Sequence, residues 1–190
     1  KLFTNLNFHY IVRDSFQPSC TRCPMPNKRL ELTTSNEGVL LLEFIPEDAR
    51  PLFELIDRNR DYLSQRGDET AAKYPDFESV LRSITHPANE LKIRLGIWFD
   101  DVLTGTINIT PEGSYTSEIG YWVGSEFSGL SLATISTEAV IRYGKRRQYR
   151  RMIAYTHIDN LASQKVLLKA GMTEIRRDES EVWFAVNTES

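Results

Sequence analysis

The chain has 190 residues, of which 41% are hydrophobic and 26% charged, with 23 lysine and arginine residues against 26 aspartate and glutamate residues. This composition is typical of a globular domain and excludes disordered and fibrous classes. The net charge of −3 gives no basic footprint for nucleic acid, and no apolar run approaches the roughly 20 residues of a membrane span. We therefore expect a cytoplasmic protein with neither a nucleic-acid nor a membrane partner.

The first segment, residues 1–27, is poorly patterned and contains both cysteines, as Cys20-Thr-Arg-Cys23, among several prolines. A CxxC pair can be half of a zinc site or a redox centre. No second CxxC or paired histidine follows, and prolines disfavour the helix that a redox pair usually begins, so we expect a reduced linker and no metal. Because the chain also begins without methionine, we predict that residues 1–27 are a leader or a linker to an upstream domain. The compact domain is predicted to span residues 28–190.

Regular patterns begin after this segment. Residues 39–45 are apolar except for Glu43 and predict a buried strand. Apolar residues at helical spacing after an acidic first turn predict a helix over 47–56. A polar stretch follows as far as Tyr74. Pro75 then begins a second helix, which ends before Pro87.

The remainder of the chain predicts further strands and helices, with a turn at Asp100-Asp101 between the first two strands. In chain order they are strands 91–99, 102–109 and 117–123, helix 133–145, strand 151–156, helix 160–170, and strands 172–176 and 182–186. Because residues 117–156 run strand, loop, helix, strand, part of the sheet should be parallel. The predicted class is α+β with a mixed sheet.

The loop over residues 124–131 is rich in glycine and serine and joins a strand to a helix. Such a junction presents unpaired backbone N–H groups at the positive end of a helix dipole, which favours phosphate. Gly129 and Ala133 would let the backbone approach a ligand closely. The loop has neither the Gly-Lys-Ser/Thr of a P-loop nor a GxGxxG fingerprint, and small residues are also typical of an ordinary helix start.

Several segments together resemble the GNAT N-acetyltransferases, in particular the RimJ/RimL-like branch, which acetylates α-amino groups. They are Glu118-Ile-Gly-Tyr-Trp-Val-Gly124, the loop, Ala133-Thr134, and the helix from Asn160 to Gly171-Met. The resemblance covers roughly residues 30–187. It implies a mixed, mostly antiparallel sheet with a parallel central pair, flanked by about four helices, and acetyl-CoA as the acetyl donor.

The resemblance also implies a set of cofactor-binding residues. The family loop, Gln/Arg-Gly-x-Gly-x-Gly/Ala, holds the acetyl-CoA pyrophosphate on backbone amides and falls here on Ser128, Gly129, Leu130, Ser131, Leu132 and Ala133. Ser128 replaces Gln/Arg, and Ser131 replaces the middle glycine, which is acceptable if its φ need not be positive. Pantetheine would lie along the strand before the loop, at Tyr121, Trp122 and Val123. Asn160, at the start of the helix 160–170, matches a position that commonly contacts the cofactor.

For the chemistry, the resemblance implies Glu118 as general base or as anchor for the substrate ammonium; the alternative is an exposed charge at a strand end. An α-amine with a pKa of ~8 is about a tenth neutral at pH 7, so a modest base suffices. Leu167 occupies the position at which many GNAT enzymes have a tyrosine that acts as the general acid. Ser163 is therefore the candidate acid, with a surface serine as the alternative, and the Val123 amide would meet the oxyanion.

We therefore expect acetyl transfer to a primary amine of a peptide N-terminus or an aminoacyl compound. An aminoacyl-nucleotide antibiotic, inactivated in self-immunity, is one specific candidate. The slight acidity of the chain is compatible with a cationic amine acceptor. The alternative is a non-catalytic acyl-CoA-binding or interaction module. The three departures from the family pattern, at Ser128, Ser131 and Leu167, favour it.

Overall fold

A computed structural model describes residues 29–65 and 68–188 of the chain. The predictions made for residues 1–27, including those for Cys20 and Cys23, lie outside the described residues.

The described residues contain eight β-strands. They are β1 (Glu31–Thr33), β2 (Val39–Glu43), β3 (Ile93–Phe99), β4 (Val102–Pro111), β5 (Thr116–Val123), β6 (Arg151–His157), β7 (Thr173–Arg177) and β8 (Glu181–Asn187). They form one sheet in the order β1-β2-β3-β4-β5-β6-β8-β7, antiparallel throughout except for the pair β5 and β6. The predicted mixed, mostly antiparallel sheet with a parallel central pair is confirmed.

Six α-helices flank the sheet in the described part of the chain. They are α1 (Ala49–Arg58), α2 (Arg60–Leu63), α3 (Thr70–Lys73), α4 (Phe77–Thr85), α5 (Leu132–Arg146) and α6 (Leu161–Lys169). Four of them have nine or more residues and correspond to the predicted helices. The other two are single turns in the stretch between the first two predicted helices. None of these helices combines the length and the apolar character needed to cross a membrane.

Each face of the sheet carries its own hydrophobic core. One core joins the sheet to α5 and α6 and includes Val140 and Leu167; the other joins it to α1–α4 and includes Leu52 and Val80. Because side chains alternate along a strand, β5 contributes to both: Tyr121 packs with the first core and Trp122 with the second. These two neighbouring aromatic residues therefore face opposite sides of the sheet.

The parallel strands β5 and β6 pair over only three residues. Thr116–Glu118 pairs with Arg151–Ile153, and beyond this point β5 continues only against β4 and β6 only against β8. The two strands therefore diverge, and a gap opens in the sheet directly after Glu118. This gap positions the candidate site.

Candidate functional site

A cavity of about 350 Å³ lies between β5, the loop before α5, and α6. All but two of the site residues predicted from the sequence line it: Tyr121, Trp122, Val123, Ser128, Gly129, Ser131, Leu132, Ala133, Asn160 and Ser163. The two that do not line it are Leu130, which is 50% exposed, and Glu118. The cavity thus brings together residues from three segments of the chain.

The loop before α5 presents a run of free backbone donors. Gly129 has φ +84° and Ser131 has φ +60°, and alternation of hand along a loop turns successive N–H groups towards one concave side. The first helical bond of α5 runs from the Ile135 amide to the Ser131 carbonyl oxygen at 3.1 Å. Within residues 29–65 and 68–188, no group accepts a hydrogen bond from the backbone N–H groups of residues 129–134. An oxyanion such as a diphosphate fits this surface.

The backbone conformation of Ser131 is not the one under which serine was expected to replace glycine. Serine was acceptable in place of glycine if φ need not be positive, but φ is in the left-handed region. That conformation costs a non-glycine residue roughly 1–2 kcal/mol. The Ser131 side chain makes no capping hydrogen bond that would offset this cost.

The exposed edge of β5 faces the gap. The Gly124 amide donates to the Thr104 carbonyl oxygen of β4 at 2.8 Å. Since N–H groups alternate between the two edges of a strand, the amides of Tyr121 and Val123 point to the opposite edge, where β6 has diverged. An extended ligand chain can therefore lie along this edge as an added strand.

Tyr121 and Ser163 join β5 to α6 across the cavity. The Tyr121 hydroxyl oxygen lies 2.9 Å from Ser163 Oγ and 3.2 Å from the Ser163 carbonyl oxygen. Burial raises the pKa of Tyr121, an effect that the hydrogen bond with Ser163 opposes. The hydroxyl therefore keeps its proton at neutral pH. Asn160 caps α6, because its Oδ1 accepts from the Ser163 amide at 3.2 Å.

Glu118 lies on the other face of the sheet from Tyr121. It is the last β5 residue in register with β6, paired with Ile153, so it borders the gap. Burial and then the charge of Glu112 raise the pKa of this half-buried carboxyl, while Lys92 opposes them. Glu118 and Ser163 are thus on opposite sides of the gap. Across the described ranges, no cluster of three or more His, Cys, Asp or Glu could hold a metal ion.

The sequence reasoning missed the lysines on the α6 side of the cavity. Lys165 and Lys169 line it and are four residues apart, a spacing that puts both on one face of a helix. Two cations facing the free amides of the loop complement a phosphorylated ligand. The spacing of the two lysines is visible in the sequence, but their role requires knowing that α6 packs beside the loop.

Asn59 is a second missed residue, and it holds the segment that leads into the loop. It is 2% exposed, and its Oδ1 accepts from both the amide and the hydroxyl of Ser125 at 2.8 Å. Its Nδ2 donates to the Leu55 carbonyl oxygen and to Glu126 Oε2, each at 3.0 Å. This one amide therefore ties the end of α1 to the entry of the ligand-binding loop.

We expect Asn59→Ala to lower the free energy of unfolding by about 1–3 kcal/mol, because it removes the four hydrogen bonds of a buried side chain and leaves the Ser125 amide without its protein acceptor. Ligand affinity at the loop should fall as well. Urea unfolding and titration calorimetry measure the two effects. The control is Arg58→Met, which removes only the Arg58–Glu126 ion pair, whose side chains are 49% and 36% exposed, and should cost about 0–1 kcal/mol. Equal losses in the two variants would contradict the role given to Asn59.

Comparison with known proteins gives three consistent results. The acetyltransferase (GNAT) domain family matches residues 39–173. The chain is 27% identical over 149 residues to the ribosomal-protein-serine acetyltransferase of Escherichia coli (strain K12), covering 72% of this chain and 79% of that protein. It is 26% identical over 148 residues to a protein of Bacillus subtilis (strain 168) described as a putative ribosomal N-acetyltransferase, covering 73% and 80%.

Solved structures share the fold. A ribosomal α-N-protein acetyltransferase in complex with coenzyme A superposes with a TM-score of 0.74 at 17% identity, covering 83% of this chain and 98% of that one. The microcin C7 self-immunity acetyltransferase in complex with acetyl-CoA and AMP superposes with a TM-score of 0.67 at 20% identity, covering 80% and 93%. At these identities the likeness concerns the fold.

Proposed function

Because the chain belongs to the acetyltransferase (GNAT) domain family and is therefore an acyltransferase, we propose that it transfers the acetyl group of acetyl-CoA to a primary amine. The observation that carries this proposal is the run of free amides over residues 129–134 at the mouth of the cavity. These amides, with Lys165 and Lys169, would hold the phosphates of acetyl-CoA. The free edge of β5 at Tyr121–Val123 would hold its pantetheine arm.

When bound, acetyl-CoA supplies an activated thioester; the chain supplies the groups that handle the amine and its protons. Glu118, at the border of the gap, accepts a proton from the substrate ammonium and leaves a neutral nucleophile. Its raised pKa brings this carboxyl closer to the pKa of ~8 of an α-amine, which makes the proton transfer less uphill. The Val123 amide faces the gap and would donate to the carbonyl oxygen of the donor.

The proton for the departing thiolate comes from the other side of the gap. A thiol pKa of ~8.5 means that the thiolate needs only a weak acid. Ser163 lines the cavity, and Tyr121, which keeps its proton, is 2.9 Å from it. We assign Ser163 as the donor and Tyr121 as the group that resupplies it, a refinement of the acid inferred from the sequence. The second proton that the amine loses as the amide forms returns to Tyr121 through solvent, so both hydroxyls are neutral again after each turnover.

We expect Ser163→Ala and Tyr121→Phe each to lower kcat by about tenfold, a modest share of what general acid catalysis contributes. If the two hydroxyls act in one chain, the double variant should be no slower than the slower single variant, because their effects are then non-additive. Steady-state kinetics on the four proteins decide this. Full activity in Ser163→Ala would remove this residue as the acid.

The acceptor is an α-amino group, of a peptide N-terminus or of an aminoacyl compound. The names of the relatives support both choices, since they include ribosomal-protein acetyltransferases and a self-immunity acetyltransferase crystallised with AMP. Detoxification of an aminoacyl-nucleotide antibiotic, as in self-immunity, is the second of these. We also propose that the chain acts in the cytoplasm, as its composition led us to expect.

A thiol-release assay tests the proposal against the alternative of a binding module. The protein is incubated with acetyl-CoA and, in separate reactions, N-terminal peptides, polyamines and aminoacyl-adenylate analogues, while calorimetry measures cofactor binding. We expect binding of acetyl-CoA together with amine-dependent thiol release. Binding with no turnover on any amine would instead support a non-catalytic acyl-CoA-binding module.

A further inference from the structure

A second, smaller cavity of about 120 Å³ lies on the opposite face of the sheet from the first. Trp122 separates the two, since it contributes to the lining of both. Three cationic residues from different segments line the second cavity, namely Lys73 at the end of α3, Lys92 just before β3, and Arg94 on β3. Among the residues that the structure describes, no acidic one lines it. Its local charge is therefore opposite to the net charge of the chain.

Within the described part of the chain, the three cations contact no acidic side chain. The Arg94 guanidinium donates to the Ser83 carbonyl oxygen at 2.8 Å and to Ser83 Oγ at 2.9 Å, both neutral groups. Over residues 29–65 and 68–188, no carboxylate oxygen lies within 4 Å of the side-chain nitrogens of Lys73, Lys92 or Arg94. Burial, followed by the charges of Lys73 and Arg94, lowers the pKa of Lys92, and Glu118 alone opposes them. A bound anion would relieve this repulsion.

The sheet register places this cavity beside the gap. Arg94, Asn108 and Gly120 form one row across β3, β4 and β5, and Gly120 is two residues from Glu118 on the same face. A side chain at Gly120 would meet no atom within 4 Å, so the row ends in open space. Asn108 Oδ1 is buried without a hydrogen-bond partner in the described part of the chain and can accept from an amine.

We propose that this cavity binds an oxyanion carried by the acceptor itself, so that the substrate is a primary amine with a carboxylate or phosphate close to its amino group. This inference rests on the proposed function. The amine lies between Glu118 and Asn108, and the oxyanion lies against Lys73, Lys92 and Arg94. The small volume suits one carboxylate or phosphate rather than a larger group.

The test uses acceptor pairs that differ only in charge. One pair is a short peptide amide with aspartate or asparagine as its first or second residue; the other has phosphoserine or serine there. We expect kcat/KM for the anionic member of at least one pair to exceed that of its neutral partner by about tenfold or more, as for hydrogen bonds to charged groups. Which pair shows the larger ratio distinguishes carboxylate from phosphate.

The same ratios are then measured in Lys92→Met and Lys73→Met, with Lys145→Met at the exposed end of α5 as the matched control. We expect the ratio to fall several-fold in the first two variants and to stay at the wild-type value in the control. Equal rates for anionic and neutral acceptors in the wild type would overturn the inference while leaving acetyl transfer intact, and so would a ratio insensitive to both lysines. No acetylation of any amine would overturn the proposed function and this inference with it.

Discussion

Replacing Glu118 with glutamine is expected to lower kcat by about a hundredfold or more, in line with the loss of a general base. Glutamine keeps the size of the side chain but cannot accept the ammonium proton. Acetyl-CoA affinity should not change, because Glu118 does not line the cofactor cavity. Steady-state kinetics and calorimetry measure the two quantities, and unchanged turnover would remove Glu118 from the mechanism.

The pH profile gives an independent reading of the same residue. The base works only when ionised, so activity should fall as pH drops through the pKa of Glu118, which is raised above its usual 4.5. Glu118→Gln should abolish this acidic limb. Glu112→Gln is the matched control: it removes a charge that raises the pKa of Glu118, so the limb should move to lower pH while kcat at pH 8 is kept. An acidic limb that persists in Glu118→Gln would belong to another group.

Replacing Gly129 with valine is expected to weaken acetyl-CoA binding by roughly 5- to 30-fold. Gly129 has φ +84°, and a left-handed residue with a side chain costs roughly 1–2 kcal/mol, with β-branched residues the least tolerant. The loop would relax to a different conformation, and the free amides of residues 129–134 would no longer converge. Titration calorimetry with acetyl-CoA measures the loss.

Two further variants isolate the cause. Gly113 has φ +82° in the turn between β4 and β5, where an added side chain also meets no atom within 4 Å. Gly113→Val should therefore cost similar stability but leave acetyl-CoA affinity unchanged. Ser131→Gly removes the strain at φ +60° and should bind at least as tightly as the wild type. Wild-type affinity in Gly129→Val, or equal losses in both valine variants, would contradict the loop as the phosphate site.

Most of the fold could be predicted because its elements are long and strongly patterned. The Asp100-Asp101 turn is an example: both residues have positive φ, 47° and 64°, as a two-residue hairpin requires. The prediction missed β1, because three residues are too few for alternation to be recognised. It also missed α2 and α3, single turns with one buried residue each, Leu63 and Ala71.

The candidate site could be predicted where one local segment builds it and not where distant segments meet. The loop at 128–133 lies within a few residues, so its ligand class followed from the sequence. The pairing of Tyr121 with Ser163 spans 42 positions and depends on how far β5 and β6 diverge. The left-handed conformation of Ser131 likewise follows from the path of the loop rather than from its composition.

Mass spectrometry of the acceptor after incubation with acetyl-CoA is the decisive measurement of whether this chain acetylates an amine. We expect one acetyl group on the α-amine of the acceptor, located by fragmentation, and one free thiol released per acetyl group. Glu118→Gln should give about a hundredth of the wild-type product or less over the same time. An acceptor panel that stays unmodified while the protein binds acetyl-CoA would contradict acetyl transfer and would support a non-catalytic binding module.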